Sequence, residues 1–458
     1  MEEAILPDSR LKGDLTQAPV GRTILRFTLP LLVANLLQQL YNIVDSIIVG
    51  QFVGKEALAA VSASYFIYFF VVSLSIGIGS GTTVVISQLF GARQYDKIRQ
   101  TYSSLFFFQT GVGLLLSVAG FLFAEPLFVL IKTPADVLPD AVAYFRIFIS
   151  GTFIFVAFNS IASALRGIGD STRPMIFALI STVLNVGLDL LFVAALGWGV
   201  KGAAWATILA QGIGILSMIF YLRYKQPILV FWRKPFSFGS TLFVRALKIG
   251  FPTSVQQCAI SLGLVTLLGL VNLFGTDTLT AYGAAGKIDS LITQASLTLA
   301  SALAAFCGQH VGAEDMQRLR KGVRFSMGLN VVFSLTIYGL ILLWGDQIMR
   351  LFSPDESVIH IGKEYLLIVG AFFLFNGALN ILNGALRGAG STLFAMLVSI
   401  ISLWIIRLPL AYYMGTHYGR TGIWWAIGIS ICLALIVTVI YYYWGGWRKR
   451  CLPSALAE

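Results

Sequence analysis

The sequence predicts an all-α polytopic membrane protein, with twelve transmembrane helices in two pseudo-two-fold-related six-helix lobes. Three observations carry that reading. The 458-residue chain is 57% hydrophobic and only 12% charged, with a mean hydropathy of +0.82; an ordinary soluble domain carries about 25% charged residues. In water, a folded monomer of this composition would expose more apolar surface than it tolerates. The chain also repeats itself: Ala164-Leu165-Arg166-Gly167-Ile168-Gly169 returns as Ala385-Leu386-Arg387-Gly388-Ala389-Gly390, an offset of 221 residues. The same offset carries Gln88…Gly91-Ala92 onto Gln309…Gly312-Ala313 and Gly54…Leu58 onto Gly275…Leu279. Finally, apolar runs of spanning length recur along the whole chain.

Those runs fall near 24–52, 58–90, 101–124, 141–165, 175–196, 202–222, 243–273, 279–309, 325–345, 363–386, 392–414 and 421–444. Each is near or above the roughly 20 residues that a bilayer core requires. Six spans per half give both halves the same orientation, so an axis along the membrane normal should relate them. The organisation expected is a cytoplasmic N-terminal segment 1–22, a first lobe 23–222, an inter-lobe linker 223–242, a second lobe 243–444 and a cytoplasmic tail 445–458. A duplicated membrane bundle is the usual architecture of a secondary transporter, which handles its substrate between the halves.

The net charge of +11 does not mark a nucleic-acid binder, because the cations punctuate the apolar runs instead of clustering on one domain. Placing the N-terminus inside puts 23 of the 32 Lys and Arg on cytoplasmic segments. By the positive-inside rule both termini are then cytoplasmic, in a multi-pass protein of the cell membrane. The linker, with Arg223, Lys225, Trp232, Arg233, Lys234 and Phe236, is expected on the inner membrane surface. The polar first 22 residues and the length of the first apolar run lead us to expect no cleavable signal peptide. Cysteines at 258, 307, 432 and 451 have no metal-ligand spacing and read as reduced packing residues.

Of 21 Asp and Glu, three lie well inside spans: Asp45, Asp189 and Asp289. A carboxylate at such depth costs about 2.5–3.5 kcal/mol on insertion scales, which makes each a functional candidate. Asp45 lies nine residues before Gly54 and Asp189 eight before Gly197, so both sit about 12–14 Å from the outer helix ends. Asn185 is one turn before Asp189 on the same face, and Thr207 and Tyr144 fall at comparable depth. These side chains from four helices form a stratum that can hold a proton or offer oxygen ligands to a small cation such as Na⁺. The second half lacks it: Asp45 maps to Thr266 and Asp189 to Pro409. Its own polar residues are Lys287, Asp289 and Arg407, and Arg407 is expected to pair with Asp289. Pro30 and its near-equivalent Pro252 are candidate helix kinks, or hinges.

The chain resembles the multidrug and toxic compound extrusion (MATE) transporters from about Thr23 to Trp444. The resemblance rests on Leu29-Pro30, Asp45…Val49-Gly50…Gly54…Ala57-Leu58-Ala59-Ala60, Gln88…Gly91-Ala92, the Ala164–Gly169 motif, Asn185…Asp189, Gly202-Ala203-Ala204…Ala206-Thr207 and Gly422-Ile423-Trp424. It implies a twelve-helix antiporter that drives organic cations outward against H⁺ or Na⁺. In the DinF-like and archaeal branch it implies a coupling-ion network at Asp45, Asn185, Asp189, Thr207 and Tyr144, a kink at Pro30 and a cavity glutamine at Gln38. NorM-type members carry acids in the second lobe. Here helix seven reads Thr253-Ser254-Val255-Gln256-Gln257, and helix ten offers Asn376 and Asn380. The resemblance is therefore closer to the DinF pattern.

The expected activity is secondary active efflux of amphipathic organic cations by alternating access, coupled through the first lobe. Gln38, Asn159, Asn185 and Asn380 are the expected polar cavity contacts; most rings of Tyr65–Phe70 read as lipid-facing packing. No cofactor beyond the coupling ion is expected, and transport needs only the monomer with its membrane lipids. The nearest rival is a lipid-linked oligosaccharide flippase of the same superfamily, which a cavity lined by Arg146, Lys287 and Arg407 would favour. An intramembrane enzyme is disfavoured, since no nucleophile–base pair or metal-ligand set shares one depth with the acids.

Overall fold

The repeat seen in the sequence returns in the backbone. In a computed structural model, which describes residues 13–230 and 238–450, a helix start follows Gly54 at φ +119° and Gly275 at φ +92°. (The side chains of residues 42, 55, 56, 58, 59, 65–67, 70, 71, 227, 449 and 450 lie outside that description.) Two other turns also match across the 221-residue offset: Arg93 and Glu314 at φ +57° and +59°, and Gly169 and Gly390 at φ +87° and +85°. The glycine pairs occupy left-handed backbone that a Cβ disfavours. That requirement explains why these motifs recur in both halves.

Contacts divide the chain into two units. Of the described residues, the first comprises 13–18 and Arg26–Phe251; the second begins at Pro252 and also takes in residues 19–25. The first unit holds most of α1 (Val20–Phe52), then α2 (Lys55–Gly91), α3 (Tyr95–Leu130), α4 (Leu138–Ser150), α5 (Thr152–Gly167), α6 (Thr172–Asp189) and α7 (Gly199–Lys225). Helix α8 (Ser240–Asn272) passes from the first unit into the second at Pro252. The second unit continues with α9 (Thr276–Gly312), α10 (Met316–Arg350), α11 (Glu356–Gly370), α12 (Phe373–Gly388), α13 (Thr392–Ile400), α14 (Leu408–Tyr418), α15 (Arg420–Trp444) and the short α16 (Trp447–Arg450). Of the expected linker, residues 231–237 lie outside the described residues, as do residues 1–12 and 451–458 of the terminal segments.

Among the described residues, ten helices are long and apolar enough to cross a membrane, and counting each of two bent pairs as one span brings the number to twelve. The expected spans at 141–165 and 363–386 are thus broken helices, α4–α5 bent by 43° and α11–α12 by 48°. Close packing against other helices accompanies both breaks. Gly151 joins α4 to α5 where a Cβ would press on the Ile208 side chain, and the ring of Phe372, between α11 and α12, lies over Gly428. Pattern reading could not place these bends, because the apolar runs continue through both.

Burial follows lipid rules. Helix α3 turns Leu115, Leu122 and Leu130 outward at 68%, 64% and 77% exposure, while Thr101, Ser103, Ser104, Gln109 and Ser117 are buried. Gln109 Nε2 donates to Thr82 Oγ1 at 3.0 Å, which pairs one of these buried polar groups with a buried hydroxyl of α2. Polar side chains inside and leucines outside invert the arrangement of a soluble helix, as expected where the surroundings are hydrocarbon.

Candidate functional site

Asp45 and Asp189 meet in the first unit. Asp45 projects from the C-terminal half of α1, and Asp189 is the last residue of α6. They are 7% and 0% exposed, and their carboxyl groups lie within hydrogen-bonding reach of each other. Among the described residues, neither Asp189 oxygen nor Asp45 Oδ1 finds a protein donor. Two bare carboxylates so placed repel strongly in a low-dielectric surround; a shared proton or an intervening cation removes the repulsion. All the groups on offer are hard oxygen donors, the class that suits Na⁺ or H⁺ over a transition metal.

Local structure sets this geometry. Directly after Asp189 the helix widens into a π turn over Leu190–Ala195, with Leu196 N bonding to Leu191 O at 2.9 Å. Such turns insert a residue and re-aim the side chains beside them, and they gather at functional sites.

The neighbouring polar groups converge on Thr207. Its hydroxyl donates to Ala203 O at 3.1 Å, which leaves Oγ1 to accept from Tyr41 Oη at 3.0 Å and Asn185 Nδ2 at 3.4 Å. Asn185 Oδ1 then has no donor among the described residues. Tyr144 is buried beside this network, stacked on Phe148 with centroids 5.4 Å apart and packed among Ile48, Val49 and Ala203. Tyr41 was not anticipated, although the signal was present: it lies one helical turn before Asp45, on the same face.

A cavity of about 110 Å³ opens next to the network and is lined by Gln38, Tyr41, Asn159, Asn185, Thr207 and Gln211, among others. It combines amide and hydroxyl groups with Phe155 and Phe158. Asn159 Nδ2 donates to Phe155 O at 3.0 Å, which leaves one N–H and the carbonyl of its amide without a further bond among the described residues. Asn380 belongs to the second unit and is no part of this cavity. Pro30 lies inside α1 and Pro252 inside α8. Of the expected aromatic run, Tyr68 is buried against Phe148 and Phe155, at 4.5 and 6.1 Å between centroids. Residues 65, 66, 67 and 70 lie outside the described side chains.

The second unit arranges its ionisable residues differently from the expectation. Arg407 and Asp289 form no ion pair. Asp289 accepts instead from Tyr365 Oη at 3.0 Å and Thr293 Oγ1 at 3.2 Å, while Arg407 Nε donates to Ser430 Oγ at 2.8 Å. Two hydroxyls already satisfy the carboxylate, and Arg407 ends a π turn, Ile401–Arg407, that changes the face it presents. Lys287 is exposed. Arg146, on α4, pairs with Glu125 at 3.5 Å and lies 5.8 Å from the Phe121 ring centroid.

Comparison with known proteins agrees with this architecture. The family described as MatE matches residues 30–191 and 252–413, one match in each half. A probable multidrug resistance protein of Bacillus subtilis, YpnP, is 30% identical over 440 residues, covering 96% of this chain and 98% of that protein. A probable multidrug resistance protein NorM of Thermotoga maritima is 26% identical over 444 residues, with 94% of each covered. The solved structure of an outward-facing multidrug resistance MATE family transporter of the MOP superfamily superposes with a TM-score of 0.89 at 24% identity, covering 98% of this chain and 100% of that one; it shares the fold.

Proposed function

This chain belongs to the MATE family of membrane transporters, and from that premise we propose that it is a multidrug efflux antiporter that exports amphipathic organic cations in exchange for H⁺ or Na⁺. As a member of that family it is a transporter and not an enzyme. The observation that carries the antiport reading is the pair of buried, mutually adjacent carboxyls, Asp45 and Asp189, in the same unit as the hydrogen-bonded Asn185, Thr207 and Tyr41, which line a polar cavity. Uptake of the coupling ion from outside neutralises the pair and weakens its hold on a cationic substrate, which leaves outward. Release of the ion to the cytoplasm restores the charge and the affinity. Two acids in one unit favour cationic cargo. The coupling site then lies in the first unit, as in the DinF-like pattern, and the chain operates as a monomer in the cell membrane with both termini cytoplasmic.

A lipid-linked oligosaccharide flippase is the weaker reading. It needs several bases in one cavity, whereas Arg146 is held by Glu125 and no arginine or lysine lines the cavity of the first unit.

The test is efflux of ethidium from proteoliposomes under separately imposed pH and Na⁺ gradients, for wild type and Asp45→Asn. Gradient-driven efflux abolished by Asp45→Asn supports the reading and identifies the ion. Coupled efflux that survives the substitution overturns coupling through the first unit, and no efflux under either gradient overturns cation antiport.

A further inference from the structure

The first unit turns an ion pair outward among apolar side chains. Arg146 on α4 and Glu125 on α3 lie 3.5 Å apart, and their side chains are 39% and 61% exposed. Glu125 is five residues before the end of α3 at Leu130, and Arg146 is eight after the start of α4 at Leu138. The rise per residue puts them about 8 and 12 Å inside the helix ends, which a short turn joins on one side of the membrane. Leu122, Phe123 and Val129, on the same stretch of α3, are all exposed. Charged side chains within spans ordinarily face the bundle interior or a water-filled cavity. This pair faces out among hydrocarbon instead.

Both members keep spare capacity. Arg146 Nε has no partner among the described residues, a terminal nitrogen meets Glu125 Oε2 only at 3.5 Å, and the Phe121 ring centroid is 5.8 Å from the guanidinium. Guanidinium and carboxylate together offer several donors and lone pairs that this one loose contact leaves open to a polar group arriving from the lipid. An apolar strip leads away from the pair. Leu114, Val118 and Phe121 precede Glu125 by eleven, seven and four residues, share its helix face and are exposed. The adjoining face of α3 is packed on α4: Phe128 meets Phe145 edge-on at 5.5 Å, and a Cβ on Gly120 would come within 2.5 Å of Ile149. The strip is therefore held in place, and it runs from the charges toward the middle of the membrane.

We infer that the Glu125–Arg146 pair is the headgroup site of a bound phospholipid with a primary ammonium, an ethanolamine phospholipid, whose acyl chain lies along Leu114, Val118 and Phe121. The guanidinium fork matches two phosphate oxygens. The ammonium, joined to the phosphate by a short ethylene link, reaches Glu125 and donates to it. Charge decides the headgroup. A net anionic headgroup satisfies Arg146 but is repelled by Glu125, and a choline headgroup matches both signs but has no N–H to donate. The site takes a structural lipid and is independent of the coupling ion and the cargo.

Native mass spectrometry of the purified full-length chain tests it, by titration with phosphatidylethanolamine, phosphatidylcholine and phosphatidylglycerol of identical acyl chains. Wild type is expected to bind the ethanolamine lipid about fivefold or more tighter than either of the others, the size of one hydrogen bond to a charged group. Glu125→Gln removes the acceptor's charge, and the preference over choline should fall to within about twofold. Arg146→Gln should weaken the ethanolamine and choline lipids alike, by about fivefold, since both offer the same phosphate. Glu125 is largely exposed, so its substitution leaves the packing of α3 in place. Should Arg146→Gln not elute as a single species, the headgroup series on wild type and Glu125→Gln carries the test. No ethanolamine preference in wild type, a preference that survives Glu125→Gln, or binding indifferent to Arg146→Gln overturns the site. Tighter binding of the glycerol lipid also overturns it, because that result describes a plain cationic patch in place of a match to both charges.

Discussion

Position 45 is aspartate on α1, and its counterpart 221 residues later is Thr266 on α8. Asp45 is buried next to a second carboxyl; Thr266 is exposed and donates to its own helix at Leu262 O, 3.0 Å away. Around this divergence the frame stays the same. Turns at Gly169 and Gly390 have φ values of +87° and +85°, and the broken helices bend by 43° and 48°. The contrast separates two kinds of constraint. Backbone requirements, such as a left-handed turn or a close helix approach, act on both copies alike, because either copy fails without them. Charge is costly in a membrane and is kept only where it is used. The first unit spends it on two adjacent acids, the second on a hydroxyl-bonded acid and an arginine.

The comparison breaks most visibly if the two acids can be separated. Asp45→Asn and Asp189→Asn should each lower gradient-driven ethidium efflux by about 100-fold, and the double variant should be little worse than either, since groups that act as a unit are not additive. Additive losses in the proteoliposome assay would mean two independent sites. A smaller effect sharpens the role of Thr207. Thr207→Val removes the acceptor shared by Tyr41 and Asn185, and about a tenfold loss of coupled efflux is expected, with expression unchanged. Thr207→Ser should restore most of it.

The frame itself is tested by matched turns. Gly169→Ala and Gly390→Ala force a Cβ into left-handed backbone, and each should cost about 1–2 kcal/mol, read as similar drops in the thermal midpoint. A large drop from one and none from the other would show that the halves do not bear equal structural load. The smallest effect is expected from Asp289→Asn, which should leave ethidium efflux within about twofold, because that carboxylate is occupied by Tyr365 and Thr293. Loss of coupling in this variant would move the ion site, or part of it, to the second unit.

Much of this was readable in the chain. Apolar run lengths anticipated the spans, and the 221-residue repeat anticipated two copies of one bundle. Membrane burial makes an intramembrane acid conspicuous, so Asp45 and Asp189 stood out by depth alone, with Asn185 and Thr207 beside them. Tyr41 escaped notice because phenols are common in membrane helices, even though its spacing from Asp45 was a helical turn. The Arg407–Asp289 pair was misjudged for a different reason. Depth along a helix follows from counting residues, but the direction a side chain points depends on every irregularity before it, and here a π turn precedes Arg407. Likewise, Gly151 and Phe372 looked unremarkable until Ile208 and Gly428 were seen against them.

By itself, then, the sequence determined the class, the duplication, the spans and the stratum of polar groups. All of these follow from composition and linear distance, which the rise per residue converts directly into depth. Only the tertiary structure decided which polar groups touch: that Asp45 faces Asp189, that Thr207 collects two donors, and that Asp289 prefers hydroxyls to a guanidinium. Those outcomes depend on helix rotation and on bends, which arise where side chains from distant parts of the chain compete for the same space, and no local pattern encodes that competition.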